Sequence, residues 1–170
     1  LVMHSPHYFI GIVKRDDIEF IINNYDAPEK GFDKAKLNQT TEFIKRVNEL
    51  GFKTLVYAPY TDHVKKLSTL VNEEEEIAVQ YYGASLDALA KDQAERQFRG
   101  NERNVMICTK AFGMGVDIPD IQVVYHHAPS GLLPDYVQEI GRAARQKDIK
   151  GYATLNYCQR DQRLLLFLMK

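Results

Sequence analysis

The chain is poor in the features that would place it in several large functional classes. It has two cysteines in 170 residues, which make neither a disulfide framework nor a metal site. Cys108 falls on an expected core strand and Cys158 at a strand end, which fits a reducing compartment. No apolar stretch is long enough to cross a bilayer and no signal peptide is visible, so a cytoplasmic setting without a membrane partner is expected. An excess of one charge is missing too. With 22 Lys and Arg against 23 Asp and Glu, the net charge is −1, so bulk charge is not what would hold an anionic polymer. There is no Gly-x-x-x-x-Gly-Lys-Ser/Thr, hence nothing of that kind to cradle β and γ phosphates. Internal repeats and low-complexity segments are absent.

What is present is ordinary in composition and regular in pattern. A hydrophobic fraction of 45% with 26% charged residues fits a globular domain with its own core. Strand patterns are expected at 8–13, 18–25, 53–58, 77–82, 105–108, 121–125 and 152–157. Helical patterns lie between them: 36–50 with Phe43, Val47 and Leu50 inward and Gly51 as its stop, 61–71 capped by Thr61, and 86–98 with Leu86, Leu89 and Ala90 inward. A last helix is expected from about Asp161. Alternating β and α at this spacing predicts a three-layer α/β domain, a mostly parallel sheet between helices.

Two segments carry chemistry. Val105 to Cys108 is an unbroken apolar run, as for a strand buried on both faces. The loop after it holds Thr109, Lys110, Gly113, Gly115 and Asp117, and Pro119 closes it. Gly113 and Gly115 permit positive φ or close backbone approach, Asp117 is suited to a sugar hydroxyl, and Thr109 with free amides is suited to a phosphate. Loops at the ends of parallel strands are where open α/β sheets bind ligands. Further on, Tyr136-Val-Gln-Glu-Ile-Gly-Arg-Ala-Ala-Arg145 places Gln138, Arg142 and Arg145 at i, i+4 and i+7 if the segment is one helix. Val137, Ile140, Gly141 and Ala144 would then form the anchoring stripe. Two arginines and a glutamine on one face suit a multiply charged phosphate group; a solvated face with local acids such as Glu139 and Asp148 is the plain alternative.

Taken together these segments resemble superfamily 2 helicases. Thr109-Lys-Ala-Phe-Gly-Met-Gly-Val-Asp117 looks like their motif V and Gln138-Glu-Ile-Gly-Arg-Ala-Ala-Arg145 like their motif VI, with wording closest to the RecQ-type DNA helicases. Lys53-Thr-Leu-Val-Tyr-Ala-Pro59 resembles the motif IV strand. Gln80-Tyr-Tyr-Gly-Ala-Ser-Leu86 and Gln97-Phe-Arg-Gly100 resemble the segments between motifs IV and V. The resemblance implies the second of two RecA-like domains, with ATP and Mg²⁺ held mainly by the first and nucleic acid running across both. It implies that Arg145 is an arginine finger, that Arg142 supports it and that Gln138 couples the cleft to the neighbouring domain. Gly113, Gly115 and Asp117 would border ATP, while Thr109, Lys110, Tyr60 and Gly83 would meet the strand. Ala144 stands where the family usually has glycine, Gln146-Lys147-Asp148 replaces a frequent Asp-Gly, and the zinc cysteines of many RecQ proteins are absent.

The resemblance implies DNA, single-stranded or partly duplex, as partner, with RNA as the nearest rival and a non-hydrolysing scaffold as the rival from another class. Bacterial cytoplasm or nucleoid is the expected place, and repair or recombination the expected context. Residues 1–30 are expected to be strands and linker leading into a domain spanning 31–170. Leu1 in the first position and the apolar run 164–169 are taken as marks of a fragment, expected to hydrolyse no ATP alone. His126 and His127, adjacent on a strand, point to opposite faces and are expected to be structural, as are Tyr57 and Tyr125.

Overall fold

A computed structural model of the chain describes residues 15–24, 31–73, 76–81, 86–112 and 117–161. The expected strand at 8–13, the glycines Gly83, Gly113 and Gly115, and nearly all of the last expected helix lie outside these. The elements are β1 (Ile18–Asn24), α1 (Phe32–Glu49), β2 (Thr54–Tyr57), α2 (Thr61–Val71), β3 (Ala78–Tyr81), α3 (Ala88–Arg99), β4 (Val105–Cys108), β5 (Val123–His126), α4 (Leu133–Ile140) and β6 (Gly151–Tyr157).

The six strands form one sheet in the order β1-β6-β5-β2-β4-β3, with every neighbouring pair parallel. Short all-apolar strands such as Val105–Cys108 are buried on both faces because each face is covered by helices. On one face α1 and α2 bring Ile44, Val64, Leu67 and Val71 onto Val56, Ile107 and Tyr125. On the other, Ala94 and Phe98 of α3 and Ile140 of α4 meet Leu55, Tyr57, Met106, Cys108 and Val124. The architecture is the three-layer α/β fold that the alternation predicts. β1, on the N-terminal side of the proposed boundary at 30, is hydrogen-bonded along its length to β6 in this same sheet.

Local departures from the sequence reading have local causes. Helix α1 starts at Phe32, a turn earlier than expected, and turns Lys36, Thr40, Ile44 and Val47 inward. Leu50, counted as inward, is the cap residue just past its end and is exposed, with Gly51 beyond it at φ 71° and Phe52 N–H on Val47 O. That is the left-handed glycine closure of a helix. In α3 the inward residues are Ala94 and Phe98, while Leu89 is 82% exposed because the helix begins two residues later than expected and presents its first turn to solvent. Thr61 is the first helical residue of α2, not its cap; Tyr60 holds the cap position without a side-chain bond. Among the described residues no helix is long and apolar enough to cross a membrane.

Candidate functional site

Parallel pairing sets the strand ends level. Tyr57 at the end of β2 is in register with Cys108 of β4 on one side and His126 of β5 on the other. The three chains therefore leave the sheet together, and their loops share one edge. There they enclose a cavity of about 570 Å³ lined by Tyr57, Pro59, Tyr60 and Thr61 after β2, by Thr109 to Phe112 after β4, and by Asp135, Gln138, Glu139 and Arg142 of the α4 region. Five of the residues singled out from the sequence, Tyr60, Thr109, Lys110, Gln138 and Arg142, thus line one space although they come from three separate segments. Phe112 N–H bonds Thr109 O at 3.0 Å, closing a tight turn that holds Thr109 and Lys110 at the rim.

The α4 region is not the long helix that the i, i+4, i+7 spacing supposes. Helix α4 ends at Ile140 with Gly141 as its cap, so of the three only Gln138 is helical. Residues 141–144 form a turn, in which Ala144 has φ 52°. This is the left-handed region, which costs an alanine roughly 1–2 kcal/mol and a glycine little. The inward stripe is accordingly Tyr136, Glu139 and Ile140, while Val137, expected to be inward, is 55% exposed. The turn is held by backbone: Ala144 N–H bonds Ile121 O at 2.9 Å, and Gln146 N–H bonds Pro119 O at 2.9 Å. Arg15 adds a guanidinium donor to the carbonyls of Ala143 and Ala144 at 2.9 and 3.1 Å. Gly151 at the start of β6 lies directly beneath it.

The two arginines leave this turn in different directions. Arg142 is buried and lies beside the Tyr57 hydroxyl, whose acidity burial suppresses well beyond its ordinary value, with Arg142 opposing the shift. Arg145 is exposed. Its Nη1 donates to the Asp117 carboxylate at 2.9 Å and its Nε to Gly141 O at 3.2 Å. Arg145 and Asp117 therefore meet each other and do not line the cavity. Asp117 is tied down from a second side, since Arg99 Nη1 donates to its carbonyl at 2.7 Å. Arg99 was given no task of its own in the sequence reading; the signal that picks it out is its place at the end of α3, facing the loop that holds Asp117.

Glu139 is the residue that sequence reading missed. Its carboxylate is nearly buried and accepts from His126 Nε2 at 2.8 Å and from the Ser130 hydroxyl. The His126 ring in turn stacks on Tyr57 (centroids 5.4 Å apart) and Tyr136 (4.9 Å). One buried acid thus ties α4 to the end of β5 and the loop after it, across the floor between Tyr57 and Arg142. His127 points the other way, its Nδ1 2.9 Å from the Thr40 hydroxyl, so the two histidines are on opposite faces as expected. Cys108 is fully buried and its thiol is pushed well up by burial, which leaves it unreactive. Among the described residues no three His, Cys, Asp or Glu side chains are grouped to hold a metal. The donors that converge here are guanidinium, ammonium, amide and hydroxyl groups, which fit phosphate oxygens.

The chain is similar to known helicases. "Probable ATP-dependent DNA helicase RecS" of Bacillus subtilis is 31% identical over 128 residues, covering 73% of this chain and 26% of that protein. "ATP-dependent DNA helicase RecQ" of Pasteurella multocida is 26% identical over 157 residues, covering 92% of this chain and 23% of that one. The chain thus spans about a quarter of the length of these relatives. Among solved structures, the C-terminal domain of the DEAD-box protein Dbp5 superposes with a TM-score of 0.69 at 19% identity, over 89% of this chain and 82% of that one, a likeness of fold. The family of helicase conserved C-terminal domains matches residues 35–147, and the chain belongs to that family, as a RecA-like domain akin to those of RecQ-type DNA helicases.

Proposed function

We propose that this chain is the second motor domain of an ATP-dependent DNA helicase and supplies Arg145 to ATP bound by a first RecA-like domain. The observation that carries this reading is the convergence of Tyr60, Thr109, Lys110, Gln138 and Arg142 on one cavity at the sheet edge, with Arg145 close by on a backbone-braced turn. Arg145 is held by exposed contacts that exchange readily for a phosphate. Placed on the transferring phosphoryl, it neutralises charge that develops there, an effect worth roughly 10³–10⁵ in turnover. Arg142 supports the turn from within and Gln138 faces the neighbouring domain. Asp117, freed from Arg145, meets the ribose. Thr109, Lys110 and Tyr60 hold the strand, with Gly83, Gly113 and Gly115 bordering the nucleic acid and the nucleotide. ATP and Mg²⁺ are held mainly by the first domain, and this chain adds donors that suit phosphate oxygens. The chain by itself then hydrolyses no ATP. The working compartment is the cytoplasm, and the functional unit is residues 31–170 together with β1, which completes the sheet, and Arg15, which braces the turn.

The test is steady-state ATPase of the full-length protein with single-stranded DNA, single-stranded RNA or neither, beside Arg145→Ala. Stimulation by DNA that the variant abolishes supports the reading. Stimulation mainly by RNA keeps the motor and changes the substrate. No turnover under any condition leaves a binding module and overturns it.

A further inference from the structure

Arg145 follows a turn whose conformation does not sustain itself. Ala144, the residue before it, has φ 52°, and backbone in this region persists only where its surroundings over-determine it. Two of the ties that do so, Ala144 N–H on Ile121 O and Gln146 N–H on Pro119 O, join backbone to backbone. A third tie is a side chain. Arg15 Nη2 donates to the carbonyls of Ala143 and Ala144 at 2.9 and 3.1 Å, and the Ala144 carbonyl belongs to the peptide that begins Arg145. Among the described residues neither carbonyl accepts from a backbone N–H. Arg15 thus serves two acceptors that the chain leaves open just beyond α4, where a cation is also favoured by the helix dipole.

Arg15 is itself fixed. Its Nε and Nη2 grip the Asp17 carboxylate as a two-pronged pair, each bond 2.8 Å long. The Asp17 carbonyl accepts from Gly151 N–H at 2.8 Å, at the start of β6. Ile18 N–H, at the start of β1, closes back on Arg15 O at 3.3 Å. A guanidinium suits this place because its planar fork serves a carboxylate and two carbonyls at once, whereas an ammonium is a single point of charge. Asp17 matches the charge and Nη2 is turned to carbonyls, the arrangement of a support and not of a second phosphate ligand.

We propose that Arg15 is a positioning residue for Arg145. By tying the 143–144 carbonyls to the start of β1 and β6, it sets where the finger's guanidinium stands when the two motor domains close. The proposal rests on the motor reading above and names a group outside the helicase motifs on which the finger depends. Such a support acts on turnover and not on ATP affinity, because the nucleotide is held mainly by the first domain. A misplacement of about 1 Å costs roughly 10²-fold in rate.

The test is ATPase of the full-length protein at saturating single-stranded DNA. The variants are Arg15→Ala, Arg15→Lys, Arg145→Ala, and Arg15→Ala combined with Arg145→Ala. Arg15→Ala is expected to lower kcat by about 10- to 100-fold, with KM for ATP and the thermal midpoint nearly unchanged. Arg15→Lys keeps the charge and loses less. The double variant is no slower than Arg145→Ala, since a support has no effect once the group it holds is gone. Ordinary kcat in Arg15→Ala beside a collapsed Arg145→Ala overturns the positioning and leaves the motor. A further loss in the double variant overturns it as well, because Arg15 then acts on something other than the finger. So does a fall in kcat that tracks a fall in the thermal midpoint in both Arg15 variants. If Arg145→Ala turns over like the unaltered protein, the motor reading itself fails.

Discussion

Two ion pairs in this domain show how differently one kind of contact serves a protein. Lys36 and Asp161 are 3% and 2% exposed and meet across 125 residues of chain, from the first turn of α1 to the end of β6. Arg145 and Asp117 meet at 2.9 Å with side chains 36% and 76% exposed. The first pair lies where water does not screen it and neither partner has anywhere else to go. Burial lowers the basicity of Lys36, and Asp161 opposes that shift. The second is in water, where pairing is worth little and a phosphate competes readily. On the proposed motor reading the exposed pair is exchanged during the cycle and has to be weak, whereas a pair that fixes the fold has to be inaccessible.

The comparison breaks most visibly in activity. In full-length protein with single-stranded DNA, Arg145→Ala is expected to cut ATP turnover by about 10³ or more and to leave the thermal midpoint nearly unchanged. A large stability loss would show that the pair is structural after all. Next in size, Lys36→Met leaves a buried carboxylate without its cation and is expected to cost about 3–5 kcal/mol in denaturant unfolding. The double change Lys36→Met with Asp161→Leu recovers part of that loss if the cost is the orphaned charge. Acid gives a smaller effect. Burial holds His127 well below the ordinary 6.5 and His63 below it as well. In the window beneath pH 6.5 the unfolded chain therefore binds more protons than the folded one. The contribution of these neutral rings is complete above pH 6.5 and declines as pH falls, by up to about 1.4 kcal/mol per unit and per histidine. Melting as a function of pH should show this slope, and His127→Asn should reduce it. Smallest of all, Asp117→Asn should change stability by less than about 1 kcal/mol; a larger change would mean that the motif V loop depends on this contact.

The periodic part of the fold was legible in the sequence, and the non-local part was not. Val105–Cys108 has the observed bounds because an apolar run between polar residues describes a doubly covered strand completely. The order of elements and their parallel pairing follow from the alternation. The motif residues were visible as types, and the cavity at the sheet edge gathers five of the seven that lie among the described residues. The turn at 141–144 escaped because helical spacing is satisfied just as well by a helix that continues as by one that stops, and a lone Gly141 gives a weak signal. Glu139 was counted as a surface acid since nothing near it in sequence reveals His126 and Ser130 above it. Lys36 and Asp161 were missed for the same reason: a buried lysine on α1 makes sense only once the end of β6 is placed against it.

The turn that presents Arg145 rests on a residue with no side chain. A Cβ on Gly151 would stand 3.0 Å from the methyl groups of both Ala143 and Ala144. Ala144 already spends backbone strain to hold its conformation, so it has little slack left with which to yield. One added methyl at 151 would press on the turn by a few tenths of an ångström: β6 stays paired, every functional group stays in the sequence, and on the proposed reading the guanidinium is delivered off its target. A relative that keeps both arginines but has lost this glycine is one whose signature overstates what it does.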